Sequence, residues 1–257
     1  MKNWFLFCNG DIYLKEDSEG HFSIPCSEYL PFGRLQDAIT ITPMNGIESM
    51  ALEVTMLSDL CIQGFVRMGL RTSFYHLDTE SYLLAGKASE MLHWHDATHY
   101  CGYCGGQMDF YTNISKVCRS CHREIWPKLS PAIIVLIKRG DEILLVQSNT
   151  FKSDYYGLVA GFVEPGESFE DCVYREVSEE TGLEITNLHY WGSQPWPYPR
   201  NIMAGFEADY LRGELCLQIS ELNKGEWFRL ENLPRIPDKL SIARHLIDHW
   251  ILEQRKK

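Results

Sequence analysis

Residues 161 to 183 read GFVEPGESFEDCVYREVSEETGL, a stretch that combines the signals of a single helix with a concentration of acid. Ser168 precedes Phe169 with Asp171 three residues on, a capping-box arrangement, and Gly182 stands where a helix stops. The spacing predicts a helix over about 169–181, reached through a strand and a loop. Along it Phe169, Val173 and Val177 recur every four residues as the stripe expected to be buried, while Glu176, Glu179 and Glu180 fall at i, i+3 and i+4 on another face. Carboxylates on adjacent turns repel, and a solvated acidic face would interleave lysines, which this one lacks. Three oxygen ligands from one turn suit magnesium or manganese, which take few protein ligands beside waters and substrate phosphate. An acidic surface helix fits the same spacing, so the helix by itself leaves both readings open.

Upstream of this stretch, PAIIVLIKRGDEILLVQS at 131–148 reads as two strands joined by the turn Arg139-Gly140-Asp141. Further back are CGYC at 101–104 and CRSC at 118–121, two C-x-x-C knuckles separated by 13 residues. Each knuckle turns two thiolates toward one point, and the pair supplies the closed tetrahedral shell that structural zinc prefers. A redox dithiol would need no second knuckle. Gly102, Gly105 and Gly106 permit the tight turns of a zinc ribbon. His93, His95, His99 and His122 lie nearby, but four thiolates leave no ligand position for them. Lys116, Arg119, Arg123 and Lys128 stand against Glu124 alone in this region, either a small basic patch able to meet phosphate or a solvated surface.

The chain has 257 residues and a net charge of -11, a poor balance for non-specific nucleic-acid binding. AIIVLI at 132–137, its longest apolar run, is far short of the roughly 18 residues a membrane span needs. The start, MKNWFLFCNGD, has too short an apolar core for a signal peptide and reads as a strand entering the turn Asn9-Gly10. Nine cysteines, five of them (Cys8, Cys26, Cys61, Cys172, Cys216) without pairing pattern, fit a reducing, cytoplasmic compartment. Up to residue 97, strand-like pieces such as WFLFCNGDIYL and MALEVTML are followed by ESYLLAGKASEMLHWHDAT, with Leu83, Leu84, Ala88, Met91 and Leu92 at roughly helical spacing.

Downstream lies SQPWPYP at 193–199, with too much proline for an interior strand and no helical period. It reads as a stiff loop whose aromatic side chains either plug a local gap or hold a flat ligand.

Gly161, Glu167, Arg175, Glu176, Val177, Glu179, Glu180, Gly182 and Leu183 match the pattern G-x(5)-E-x(7)-R-E-U-x-E-E-x-G-U at every specified position. In this the chain resembles the Nudix hydrolases. The resemblance implies an α/β/α sandwich, dependence on Mg2+ or Mn2+, and cleavage of a nucleoside diphosphate linked to another group. It implies that Glu176, Glu179 and Glu180 are the catalytic residues of the metal and water shell, and that Arg175 and Glu167 hold the loop against the helix beside Gly161. It also implies a further metal-binding glutamate ahead of a Trp-containing strand. Glu221 in ISELNKGEWF is the favoured candidate and Glu226 the competitor.

SQPWPYP makes the chain similar to the NADH pyrophosphatase subgroup, whose signature is SQPWPFPxS; here Tyr198 replaces the phenylalanine and Asn201 the serine. The subgroup resemblance implies an α+β chain with a small N-terminal α+β domain (1–97), a Zn2+ ribbon held by Cys101, Cys104, Cys118 and Cys121 (98–127), and the Nudix domain (128–257). Its members are homodimers that split NAD(H) into nicotinamide mononucleotide and AMP, and relatives remove the NAD cap from RNA 5′ ends. Substrate contacts are implied for Phe162, Gln194, Trp196 and Ala243, with Trp126 reaching in from the partner subunit. Two other functions fit the residues. One is a broader pyrophosphatase acting on ADP-ribose, FAD or nucleotide sugars, and the other is a nucleic-acid-binding ribbon on a vestigial Nudix domain.

Overall fold

The computed structural model describes residues 1–32, 34–35, 38–54, 64–149 and 154–256. Packing divides them into two units, Met1–Lys128 with Pro197–Arg200, and Leu129–Trp196 with Asn201–Lys257.

The first unit carries strands β1 (Lys2–Cys8), β2 (Asp11–Glu16), β3 (Phe22–Ser23), β4 (Cys26–Ser27), β5 (Ile39–Met44), β6 (Ile47–Glu53) and β7 (Phe65–Gly69), then helices α1 (Leu70–Ser73) and α2 (Thr79–Ala97). Five strands run in the order β3-β2-β1-β6-β5, with β4 paired to β1 and β7 to β2. Trp4 to Cys8 are all buried, as a central strand covered on both faces requires. Asn9 and Gly10 both have positive φ and turn the chain from β1 into β2. The last three residues of MALEVTML and Cys61 lie outside the described residues. Asp78 caps α2 by accepting from the Ser81 N–H at 2.9 Å, and Leu84, Ala88, Met91 and Leu92 are buried along it. Leu83 departs from the expected stripe. It is 47% exposed, because i and i+1 on a helix point about 100° apart and Leu84 holds the inward position.

After α2 the chain forms a three-stranded sheet, β8 (Met108–Thr112), β9 (Ser115–Cys118) and β10 (Glu124–Ile125). The run of basic residues here is not uniformly exposed: Arg119, Arg123 and Lys128 face solvent and Lys116 does not. Lys116 is 1% exposed, and its ammonium donates to the carbonyls of His95 and Thr98 and to the Thr98 hydroxyl at 2.9–3.0 Å. Burial lowers its pKa to about 8. Arg119 pairs with Asp109, and the Arg123 guanidinium lies 3.8 Å from the centre of the Tyr103 ring.

The second unit is built on β11 (Ser130–Arg139), β12 (Glu142–Ser148), β13 (Val159–Phe162), β14 (Glu184–Trp196), β15 (Asn201–Arg212) and β16 (Leu222–Arg229), with helices α3 (Phe169–Thr181) and α4 (Ile242–Gln254). The sheet order is β14-β15-β11-β12-β16 with β13 on β11, and β11 and β15 are parallel. Alternation along β11 creates two cores. Ile133, Val135 and Ile137 meet Cys172, Val173 and Val177 of α3, while Ile134 and Leu136 meet Ile242, Leu246, Ile247 and Trp250 of α4. The six-residue apolar run is therefore a strand buried on both faces of an α/β/α sandwich.

Two expectations change here. Phe169 is 40% exposed, since at the first turn of α3 it lies beyond the edge of the sheet core that takes Val173 and Val177. The first half of SQPWPYP is strand, with Ser193, Gln194, Pro195 and Trp196 opposite Ala204, Met203, Ile202 and Asn201. β14 is the outermost strand of its sheet, where a residue without an N–H leaves no ladder bond broken.

Candidate active site

The acidic helix α3 is fixed at both ends by local chemistry. The Ser168 hydroxyl accepts from the Asp171 N–H at 3.1 Å, Asp171 accepts in return, and Gly182 closes the helix at φ 69. Burying Val173 and Val177 contributes about 1.5–3 kcal/mol each and sets the rotation of the helix. That rotation takes Glu176 and Glu180 inward, 9% and 4% exposed, and leaves the Glu179 side chain 55% exposed.

Arg175 ties this helix to β13 and the loop after it. Its guanidinium forks onto the Glu167 carboxylate, reaches Glu176 at 2.8 Å and Glu179 at 3.1 Å, and donates to the Phe162 carbonyl at 3.0 Å. Glu167 also accepts from the Glu164 N–H at 2.9 Å, and the Arg175 contact holds its carboxyl down at about 2. The loop is thereby stapled to the helix at three points. A Cβ on Gly161 would run into the Glu176 carboxylate, so glycine is required there by close approach, with no unusual backbone angle.

Glu180 is the most constrained acid. Burial, followed by the charges of Glu176 and Glu221, pushes its carboxyl up to about 8, and its Oε2 is buried without a hydrogen-bond partner among the described residues. Burial also raises Glu176, with Arg175 opposing. Both raised acids feel Glu221, which follows the turn closed by its N–H onto the Gln218 carbonyl; Glu226 is exposed on β16. Two buried carboxylates one turn apart, one of them with an unpartnered oxygen, fit a divalent cation with hard oxygen ligands, whose charge would offset the repulsion.

The four cysteine Sγ atoms lie within 4.8 Å of one another, Cys101 and Cys121 at 3.7 Å and Cys104 and Cys118 at 3.5 Å. Those separations are near the edge of about 3.8 Å that four Zn–S bonds of about 2.3 Å would span. Backbone N–H groups of Cys121 and Ser120 lower the Cys118 thiol, favouring the thiolate a metal binds, while hydrogen bonds with the Cys121 and Cys118 sulfurs raise Cys104. No histidine joins the cluster, and the ring of His95 stacks on Phe110 instead.

Two matches to known families cover most of the chain, a NUDIX domain at residues 128–250 and an NADH pyrophosphatase-like rudimentary NUDIX domain at residues 2–94. The NAD-capped RNA hydrolase NudC of Pseudomonas aeruginosa (strain LESB58) is 43% identical over 191 residues, 74% of this chain and 69% of that protein. The chain belongs to the Nudix family. The NudC of Pseudomonas entomophila (strain L48) is 41% identical over the same shares. A Nudix hydrolase structure from Nitrosomonas europaea shares the fold at a TM-score of 0.53 and 17% identity, covering 62% of this chain and 93% of that one. Nudix enzymes use magnesium or manganese, so the acidic site of this Nudix chain and its cysteine cluster call for different metals.

The remaining residues named from the sequence are placed as follows. Phe162 ends β13 and is 57% exposed beside the loop that Arg175 holds, and Trp126 is 53% exposed just after β10. Trp196 is half-buried at the end of β14. Gln194 spends both ends of its amide on the start of α4, donating to the Leu240 carbonyl at 2.7 Å and accepting from the Ile242 N–H at 2.6 Å. Ala243 is buried in the core beneath that helix. The packing of Pro197 and Tyr198 onto α2 escaped sequence reasoning, although Gly86, in the interior of a 19-residue helix, was a signal of close approach.

Proposed function

We propose that this enzyme hydrolyses the pyrophosphate bond of NAD(H), giving nicotinamide mononucleotide and AMP, and removes the NAD cap from RNA to leave a 5′-monophosphate end. The observation that carries the reading is the buried pair Glu176 and Glu180 on α3, with Glu176 filling the space beside Gly161 and Glu221 close enough to raise both, in a chain 43% identical to an NAD-capped RNA hydrolase. Glu176, Glu179, Glu180 and Glu221 would hold the divalent metal, and Arg175 and Glu167 fix the preceding loop against the helix that carries the first three. Magnesium or manganese bound there neutralises the diphosphate and lowers the pKa of an attacking water. Water adds across one P–O–P bridge: its oxygen bonds to one phosphorus, the bridging oxygen leaves on the other, and two monophosphates result.

Phe162 and Trp196 take the flat rings of the substrate, Gln194 and Ala243 shape the floor of the pocket, and Trp126 enters from the partner of a homodimer. Cys101, Cys104, Cys118 and Cys121 hold zinc as a structural clip in the ribbon at 98–127, between an N-terminal domain at 1–97 and the catalytic domain at 128–257. No helix among the described residues is long and apolar enough to cross a membrane, and the scattered thiols suit the cytoplasm.

Product analysis on NADH, ADP-ribose and NAD-capped RNA side by side tests the proposal. Release of AMP and reduced nicotinamide mononucleotide from NADH, with monophosphate ends from capped RNA, is the expected result. Turnover of ADP-ribose in preference to both would point to the broader pyrophosphatase.

A further inference from the structure

The signature loop divides between the two units: Trp196 ends β14, and Pro197–Arg200 pack with the first unit. Among the contacts of this tip, two join it to α2, and the Arg71 guanidinium lies 5.6 Å from the centre of the Tyr198 ring. The Tyr198 hydroxyl lies 2.6 Å from that of Tyr82, a residue 6% exposed, so the pair forms a hydrogen bond largely shielded from water. One turn further along α2, a Cβ on Gly86 would stand 3.0 Å from Pro197 Cγ, closer than ordinary packing allows. Tyr82 and Gly86 are i and i+4 and present one face. Glycine inside a helix costs about 1 kcal/mol relative to alanine, and the approach of Pro197 gives that cost a reason.

The grip is narrow. Pro197, Tyr198 and Pro199 also line a cavity of about 650 Å³ with Leu70, Arg71 and Leu92, so the tip is not packed on all sides. A proline-stiffened segment clamped at Pro197 and Tyr198 transmits its position to the residue bonded to Pro197, and that residue is Trp196.

We propose that Tyr82 and Gly86 are positioning residues for substrate binding, which fix the backbone direction of Trp196 through the Tyr82–Tyr198 hydrogen bond and the Gly86–Pro197 contact. The inference rests on the proposed hydrolysis of NAD(H) with Trp196 in the substrate pocket. It assigns Tyr82 and Gly86 a part in substrate affinity, through the backbone of the residue bonded to Pro197.

The test measures steady-state kinetics on NADH and thermal stability for Tyr82→Phe, alone and in a Trp196→Ala background. Loss of one hydrogen bond is expected to raise KM about three- to tenfold with kcat unchanged. In the Trp196→Ala background the same substitution should leave KM where Trp196→Ala put it, since effects passing through one residue are not additive. An unchanged KM, or an equal rise in both backgrounds, would overturn the proposal. Should Tyr82→Phe fold poorly, Tyr198→Phe removes the same bond from the other side and carries the same expectations. A wild-type protein inactive on NADH would instead refute the functional reading on which the inference depends.

Discussion

Glu180 and Glu90 are both half to fully buried acids, and their surroundings give them different work. Glu180 shares its space with Glu176 and Glu221, and Glu180→Gln preserves its shape while removing the charge a divalent cation requires. Turnover should fall by about 100-fold or more, roughly 3 kcal/mol of barrier, with the melting temperature retained, as kinetics and calorimetry on one preparation would show. Between the two candidate outer ligands, Glu221→Gln should cost far more activity than Glu226→Gln; the reverse order would move the assignment to β16. Glu90, on α2, has no such cluster. Burial alone raises its carboxyl to about 7, and its Oε1 is buried without a partner among the described residues. A folded-state pKa above the unfolded one means that the native state binds more protons between about pH 4.5 and 7, so stability falls as pH rises through that window. Glu90→Gln should therefore stabilise the protein at pH 8 by about 1 kcal/mol, after allowing for the water that still reaches the group, and by nothing near pH 4. Thermal melts of both proteins at the two pH values check the sign.

Among the elements, α3 was the most legible. Its cap, its stop and its two valines are local signals, and the helix runs over the residues the spacing indicated. The exposure of Phe169 and Leu83 was not legible, because period alone cannot say how wide a core a helix meets. SQPWPYP misled for a related reason: three prolines exclude an interior strand, but the edge position of β14 is a property of the sheet. The cysteine ribbon is an element whose own hydrophobic core is small, with Cys101, Met108 and Cys118 its buried members. Metal ligation must then supply part of its folding free energy. Cys101→Ser should abolish stoichiometric zinc and lower the melting temperature, measured by elemental analysis and calorimetry; a zinc-free wild-type protein would count against the assignment.

At the scale of the whole molecule, the proposed homodimer makes a prediction that no single chain can meet. If Trp126 serves the partner's pocket, a Trp126→Ala chain keeps its own carboxylates and lacks the ring it should lend, while a Glu180→Gln chain has the opposite defect. Mixed dimers then contain one complete site, and random reassortment of the two weak variants should restore about a quarter of wild-type activity. Activity that stays at the sum of the separate variants would place Trp126 outside the pocket or the enzyme outside the dimeric class.

The sequence by itself determined the Nudix family, the helix that carries Glu176, Glu179 and Glu180, and the cysteine cluster, because the Nudix pattern and the paired knuckles lie within one helix and its loop and within one ribbon, at spacings that local geometry enforces. It could not decide the fate of charges and rings whose partners are distant in the chain. Lys116 reads as surface charge until the carbonyls at the end of α2 take its ammonium, and Gly161 reads as one position of a pattern until Glu176 occupies the space of its missing side chain. Tyr198 reads as either a packing plug or part of a ligand platform until Tyr82, 116 residues earlier, takes its hydroxyl. In each case burial removed water as the alternative partner, and only the tertiary fold decides which group must replace it.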